Sequence, residues 1–402
     1  MGQTCLARSS RKIQLSLLSL LFVVLLQIAS GRKLKFVLLL YRHGDRSPLR
    51  NYPKGLHNES EWPQGFGQLT TVGMQQQFEL GQYIKKRYTG FLSPMYKREE
   101  VLIKSTELDR TIMSAQSKLA GLFPPAGDQI WNPEILWQPI PVHVVPRAYS
   151  PKLRFPMFGC QRYLELLRET MYSTEFQAKI QPYEEFLKEI AVYAGYKFDT
   201  FKCLDSFQIW TLQDTLFCES IHNFTLPKWA TEDVRAKLTE LATLSISSLF
   251  GIHKNVEKAR LQGGLLVNSI VETLSNVAQN PGEGKLLAYS VHDTTIAALQ
   301  MALNIYNGRL FPYASCQFFE LYKEDNGEYT IEMHLRNDTS EEPHQLTLPG
   351  CPTPCPVSKF AELVGPMKTY NWETECETPS YIRMPGYEVQ LKLILELSWY
   401  IK

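Results

Sequence analysis

The stretch Phe36-Val37-Leu38-Leu39-Leu40-Tyr41-Arg42-His43-Gly44-Asp45-Arg46-Ser47-Pro48 is an unbroken apolar run that ends in a cluster of charged residues. An apolar run without polar alternation is typical of a strand in a parallel sheet that is covered on both faces. Such sheets bind ligands at the carboxyl ends of their strands. The stretch therefore predicts a buried strand that delivers a charged loop to a binding site.

The chemistry of this loop indicates an anion site. Arg42 and Arg46 can each donate forked hydrogen bonds to a phosphate-like group, and Gly44 lets the backbone approach that group closely. His43 stands between the arginines, and a neutral imidazole held in one orientation can act as a nucleophile. The bare triplet Arg-His-Gly would also fit a solvated surface turn, so a second motif is needed.

The segment from Arg42 to Pro48 resembles the RHGxRxP signature of the histidine phosphatase superfamily, in its acid phosphatase branch. The resemblance implies that His43 is phosphorylated during turnover and that Arg42 and Arg46 hold the phosphate. The family's second motif is a His-Asp pair, and Ser290-Val-His-Asp-Thr-Thr295 is similar to it. The resemblance implies that His292 helps to bind phosphate and that Asp293 donates a proton. Taken alone, Asp293 would equally fit a helix cap.

Arg110 follows the strand-like run Val101–Ser105 and precedes a helix-like segment. Free backbone N–H groups at a helix start favour an anion there. Considered without its neighbours, Arg110 is better interpreted as part of a surface salt bridge. The surrounding Ser105-Thr-Glu-Leu-Asp-Arg-Thr111 is similar to a family motif, which implies a phosphate-binding role for Arg110.

These roles predict a complete reaction. Hydrolysis of a phosphate monoester needs a clamp for the phosphoryl oxygens, an in-line nucleophile and an acid for the leaving group. The arginines supply the positive charge that a metal would otherwise provide, so no metal and no cofactor are expected. An acidic pH optimum is expected, since Asp293 must carry a proton.

The resemblance implies an α/β fold of three α/β/α layers with a mixed sheet, as in phosphoglycerate mutase, and an inserted smaller helical subdomain. Prolines cluster from Pro139 onward, and helix-like stretches then replace strands as far as Leu261. We expect residues 32–138 and 262–376 to form the α/β domain, and residues 139–261 the helical insertion. Residues 377–402 form a tail that matches nothing in the family.

Residues 1–31 read as a secretory signal. A basic start is followed by the mostly apolar run Leu15–Ile28 and the cleavage-like Ala29-Ser30-Gly31. A retained signal anchor is the alternative, but the apolar run is shorter than the roughly 20 residues that span a bilayer. We expect the mature chain to be secreted, extracellular or in the lysosomal lumen, without a transmembrane segment. The formal net charge is +1 in 402 residues, which gives no general electrostatic basis for binding nucleic acid.

Cysteines and glycosylation sequons agree with export. The segment Cys351-Pro-Thr-Pro-Cys355 favours a local disulfide over a metal site, because no second ligand pair lies nearby. Resemblance to secreted and lysosomal acid phosphatases implies two further disulfides, Cys160 with Cys376 and Cys218 with Cys316, and leaves Cys203 as a free thiol. The predicted glycosylation sites are Asn58, Asn223 and Asn337.

The resemblance implies broad action on phosphate monoesters, including protein phosphotyrosine. It also implies a homodimer, for which Trp137 and His143 are contact candidates. A phytase and a narrow lipid or nucleotide monoester phosphatase stay open as alternatives. A phosphoglycerate-mutase-like phosphotransferase fits the exported context less well. A non-catalytic binding protein would be expected to lack His43, Arg46 or Asp293, and all three are present.

Overall fold

The computed structural model describes residues 31–146, 152–153, 159–197, 206–282, 284–369 and 371–377. The predicted signal peptide up to residue 30, Cys203 and residues 378–402 of the predicted tail lie outside these ranges. No helix in the described ranges is long and apolar enough to span a membrane.

The described strands form one mixed sheet in the order β3-β2-β4-β1-β5-β6-β7, with β8 paired to β6. Strands β1 to β4 pair in parallel, and β5 to β8 are antiparallel to their neighbours. Their bounds are β1 Lys33–Arg42, β2 Val101–Thr106, β3 His143–Val145, β4 Leu286–Val291, β5 Cys316–Lys323, β6 Tyr329–Arg336, β7 His344–Leu346 and β8 Cys355–Pro356. The predicted mixed sheet is confirmed.

Helices cover both faces of β1, which explains its apolar sequence. Val37, Leu39 and Tyr41 pack into one core with helices α1 (Thr71–Arg87) and α2 (Asp109–Leu122). Leu38 and Leu40 pack into a second core, with α8 (Asn255–Gln279) and α9 (Asp293–Ala302). The chain therefore has the predicted three α/β/α layers. Thr70 caps α1, because its side chain accepts a hydrogen bond from the Gly73 N–H.

Most of the described helices between β3 and α8 share a core of their own, built from side chains such as Phe176, Leu187, Leu212, Leu216 and Leu238. The first of these helices buries Tyr163 and Leu166 in a smaller cluster with Leu261. Their bounds are α3 Gln161–Tyr172, α4 Thr174–Ile180, α5 Glu184–Ala194, α6 Ser206–Ile221 and α7 Glu232–Phe250. Two short helices, α10 (Val357–Leu363) and α11 (Trp372–Cys376), follow the sheet.

The structure differs from the predicted boundaries of the helical part at both ends. Strand β3 lies beyond the boundary at 139 and still belongs to the sheet, because it pairs with β2. The strand has three residues and is largely exposed, whereas β1 has ten residues and is mostly buried. The boundary at 261 falls inside α8, whose later residues pack on the sheet.

Disulfides join Cys160 to Cys376 and Cys351 to Cys355. The implied disulfide between Cys218 and Cys316 is wrong, since both are free, buried thiols. Cys218 lies on α6, where its Sγ is 3.5 Å from the Tyr313 hydroxyl. Cys316 instead packs in the core between the sheet and α1 and α2. The two thiols thus have different surroundings, and burial raises the pKa of each.

Glu219 on α6 is buried, and its Oε2 has no hydrogen-bond partner among the described residues. Burial raises the pKa of Glu219 to about 7, and the nearby His57 charge partly offsets this. Below the ordinary pKa the carboxyl is neutral in both the folded and the unfolded chain, so folding carries no penalty. Between the ordinary pKa and about 7, Glu219 loses its proton in the unfolded chain but keeps it in the folded chain. Rising pH therefore lowers the stability of the folded state over this range.

We therefore expect Glu219→Gln to be more stable than the wild type, by a difference that grows as pH rises. The gain should be small at acid pH and approach about 3 kcal/mol at neutral pH as an upper bound. Melting temperatures of both proteins across this range measure it. The exposed Glu232→Gln on α7 is the matched control and should shift the melting temperature little. A Glu219→Gln difference that stays constant with pH would contradict the assignment.

Candidate active site

The two motifs meet because β1 and β4 are adjacent parallel strands. Arg42, the last residue of β1, pairs in register with Val291, the last residue of β4. The His43 N–H donates to the Val291 carbonyl at 3.1 Å. The rings of His43 and His292, one residue beyond each strand, have centroids 5.7 Å apart. The carboxyl end of the sheet thus brings both predicted histidines into one site.

His43 is a buried, neutral imidazole in one tautomer. Burial lowers the pKa of His43 well below its ordinary value, and the positive charges of Arg110 and Arg42 lower it further. Its Nδ1 is 2.8 Å from the Gly44 carbonyl, which can only accept a hydrogen bond. Nδ1 therefore carries the proton, and Nε2 keeps a lone pair. This is the form that a nitrogen nucleophile requires.

Gly44 places the loop against α1. A Cβ at this position would be 2.2 Å from the Gly73 carbonyl oxygen, a distance that no side chain can occupy. The Gly44 N–H also donates to the Ser114 hydroxyl on α2 at 3.1 Å. The glycine is needed for this close packing, which fixes the backbone next to His43.

Arg42, Arg46 and Arg110 are all at least nine-tenths buried. The Nε atom of each has no hydrogen-bond partner among the described residues. Arg110 also has no carboxylate within 4 Å in those ranges, so the surface salt bridge that the bare sequence favoured is not found. Burial, and then the charge of Arg46, lowers the pKa of Arg110 to about 9. Buried cations with unused donors make a preformed site for an anion.

His292 and Asp293 open helix α9. His292 is the N-cap residue, and its Nε2 is 3.0 Å from the Thr106 hydroxyl at the end of β2. Asp293 is the first helical residue, and its Oδ2 accepts from Arg42 Nη2 at 2.8 Å. The Asp293 side chain is 23% exposed, more than that of Arg42, so it faces the open side of the site.

Sequence reasoning missed several residues that hold the site together. Asp214 on α6 forms a bidentate ion pair with Arg46. The Tyr313 ring lies under the Arg42 guanidinium, with 4.2 Å from Cζ to the ring centroid. His222 Nε2 lies 2.6 Å from Oδ2 of the buried Asp45 carboxylate. No short motif marked Asp214 or His222, since they come from the helical part, far from Arg46 in sequence.

One His/Asp/Glu group in the described residues has a spacing that suits a metal ion, namely Glu320, Glu332 and His334 on β5 and β6. Its carboxylates already pair with arginines, Glu320 with Arg87 and Glu332 with Arg32. The group lies away from His43, because Glu320 pairs with Val37 in the middle of β1, whereas His43 follows the end of that strand.

Comparison with known proteins places the chain in a family. The family described as "Histidine phosphatase superfamily (branch 2)" matches residues 33–336. Human prostatic acid phosphatase is 52% identical over 374 residues, covering 93% of this chain and 95% of that protein. Lysosomal acid phosphatase of Xenopus laevis is 49% identical over 373 residues, covering 92% of this chain and 85% of that protein.

Solved structures with this fold include the Hafnia alvei phytase in complex with tartrate. It has a TM-score of 0.65 at 17% identity, covering 87% of this chain and 100% of that one. The Citrobacter braakii phytase has a TM-score of 0.64 at 17% identity, covering 86% and 100%. At this identity the likeness concerns the fold alone. The chain belongs to branch 2 of the histidine phosphatase superfamily, among the acid phosphatases, which hydrolyse phosphate monoesters.

Proposed function

We propose that the protein hydrolyses phosphate monoesters at acid pH through a covalent phosphohistidine intermediate on His43. The observation that carries this proposal is a neutral His43 with its Nδ1 fixed, surrounded by three buried arginines whose Nε–H groups are unused. Arg42, Arg46, Arg110 and His292 form the phosphate clamp.

In the first step, His43 Nε2 attacks the phosphorus, and the bond from phosphorus to the leaving oxygen breaks. Protonated Asp293 gives its proton to that oxygen, and the alcohol departs. A phosphate that binds Arg42 would release Asp293 from its present ion pair, which frees the carboxyl for this role. The clamp stabilises the charge on the equatorial oxygens.

In the second step, Asp293 accepts a proton from a water molecule that attacks the phosphorus. The N–P bond breaks, the electron pair returns to His43 Nε2, and inorganic phosphate leaves. Burial and the charges of Arg110 and Arg42 lower the pKa of His43 well below its ordinary value, which favours the neutral nucleophile in acid solution.

We further propose broad substrates, including aryl phosphates and protein phosphotyrosine, because curated relatives of this sequence are named acid phosphatases. The prostatic and lysosomal names of those relatives support a secreted or lysosomal-lumen location. The similarity to phytase structures concerns the fold and does not favour inositol phosphates as substrates.

A homodimer is also proposed. Apolar residues beside the edge strand β3 are exposed, with Leu136 at 83%, Trp131 at 57% and Trp137 at 39%. Strand β3 pairs only with β2 among the described strands, so one edge is open to a second chain. Sedimentation analysis that finds only monomer at micromolar concentration would rule out this dimer.

The activity is tested by hydrolysis of p-nitrophenyl phosphate by the secreted mature chain from acid to neutral pH, with and without a chelator. We expect turnover at acid pH that the chelator does not change. Activity that peaks well above neutral pH would contradict Asp293 as the donor. Activity that disappears with the chelator and returns with a divalent metal would contradict the arginine clamp.

A further inference from the structure

Helix α6, from the helical part of the chain, contacts the segment after the nucleophile through one face. The Thr211 hydroxyl accepts from Arg50 Nε at 3.3 Å, and the Thr215 hydroxyl donates to the Arg50 carbonyl at 2.9 Å. Just beyond the helix, His222 contacts Asp45. Thr211 and Thr215 are four residues apart, which places them on the same side of the helix. The loop that carries His43 is thus held by a helix distant in sequence.

Asp214 makes the strongest of these contacts. Its Oδ1 accepts from Arg46 Nη2, and its Oδ2 accepts from Arg46 Nη1, each at 2.9 Å. The Leu49 N–H donates to the same Oδ2 at 3.3 Å. Asp214 is 5% exposed and Arg46 is 2% exposed. A buried bidentate ion pair of this kind fixes the plane and the direction of a guanidinium.

The pair leaves one edge of Arg46 unused. A guanidinium has five N–H groups, and Asp214 takes two of them. A third bonds the Ser47 carbonyl through Nη1 at 3.1 Å. The Nε–H and the second Nη2–H remain, side by side on one edge, and Nε is buried without a partner in the described residues. Two parallel donors on one edge match two oxygens of a phosphate.

The charge of Arg46 acts on the site directly. It is among the charges that lower the pKa of His43 and of Arg110, so the guanidinium lies close to both. Holding Arg46 in one orientation therefore holds one side of the phosphate clamp.

We propose that Asp214 is a positioning residue, which orients Arg46 so that its free edge binds a phosphoryl oxygen pair. Asp214 itself does not touch the phosphate. The proposal rests on the proposed function of the phosphate clamp. It gives the contact between α6 and the loop that carries His43 a role in phosphate binding.

The test is direct binding of inorganic phosphate at acid pH by calorimetry, together with kcat and KM for p-nitrophenyl phosphate. Asp214→Asn keeps the side-chain shape but turns an N–H₂ group toward the guanidinium. We expect phosphate binding and kcat/KM to weaken by roughly 10- to 100-fold, by analogy with the loss when residues that orient metal ligands are replaced. Asp214→Glu keeps the carboxylate and should recover part of the loss. The exposed Asp233→Asn on α7 is the matched control and should behave as wild type.

Unchanged phosphate binding in Asp214→Asn would overturn the proposal. Tighter binding would also overturn it, because it would mean that Asp214 competes with phosphate for Arg46. Equal losses in Asp214→Asn and Asp214→Glu would show a general packing role and would overturn it as well. Since phosphate binding needs no turnover, an inactive wild type whose phosphate binding depends on Asp214 would contradict the proposed phosphatase activity and leave the positioning role intact.

Discussion

Replacement of His43 by alanine is expected to lower kcat/KM for p-nitrophenyl phosphate by roughly 10⁴-fold or more, because the variant has no atom that can accept the phosphoryl group. The buried arginines remain, so inorganic phosphate should still bind with an affinity near that of the wild type. The measurement is steady-state hydrolysis at acid pH, beside calorimetric binding of phosphate. Circular dichroism and the melting temperature establish that the variant is folded.

The matched control for this variant is His344→Ala, an exposed histidine on β7, which should keep full activity. A folded His43→Ala enzyme that retains a tenth of the wild-type activity would show that water attacks the substrate directly. The role of His43 would then be limited to binding, and the clamp would have to accommodate a different nucleophile.

Removal of the proposed proton donor, Asp293, should slow hydrolysis by an amount that depends on the leaving group of the ester. Asp293→Ala is expected to slow hydrolysis of an alkyl phosphate such as glycerol phosphate by roughly 10²- to 10⁴-fold. The loss for p-nitrophenyl phosphate should be clearly smaller, since nitrophenolate leaves without needing a proton. Alanine is chosen because asparagine at this position would create an Asn-x-Thr glycosylation signal with Thr294 and Thr295.

The measurement is kcat for both esters at the pH optimum of the wild type. The control is Asp128→Ala, which removes an exposed carboxylate. Equal losses for the alkyl and the nitrophenyl ester would mean that Asp293 acts through Arg42 on phosphate binding. The acid would then have to be another group.

The sheet and the meeting of the two motifs at its carboxyl end could be predicted from the sequence, because both depend on local patterns. An apolar run such as Phe36–Tyr41 has to be covered on both faces, and the structure places a core on each side of it. His43 and His292 each follow a strand, and parallel pairing of those strands brings them together.

The contacts made across the fold could not be read from the sequence. Arg46 and Asp214 are 168 positions apart, and an aspartate on a helix carries no sign of its distant partner. The short strand β3 has too few residues to show a pattern. The disulfide between Cys218 and Cys316 was predicted only from the family resemblance. In the structure both thiols are free.

The most direct test of the central claim is capture of the phosphoenzyme. Wild-type enzyme is mixed with a phosphate monoester at acid pH, quenched within milliseconds into alkaline denaturant that preserves phosphohistidine, and mapped by mass spectrometry. We predict one phosphoryl group on the peptide that contains His43, at Nε2, and none in His43→Ala. Turnover by the wild type with no phosphate on His43 would contradict the covalent mechanism.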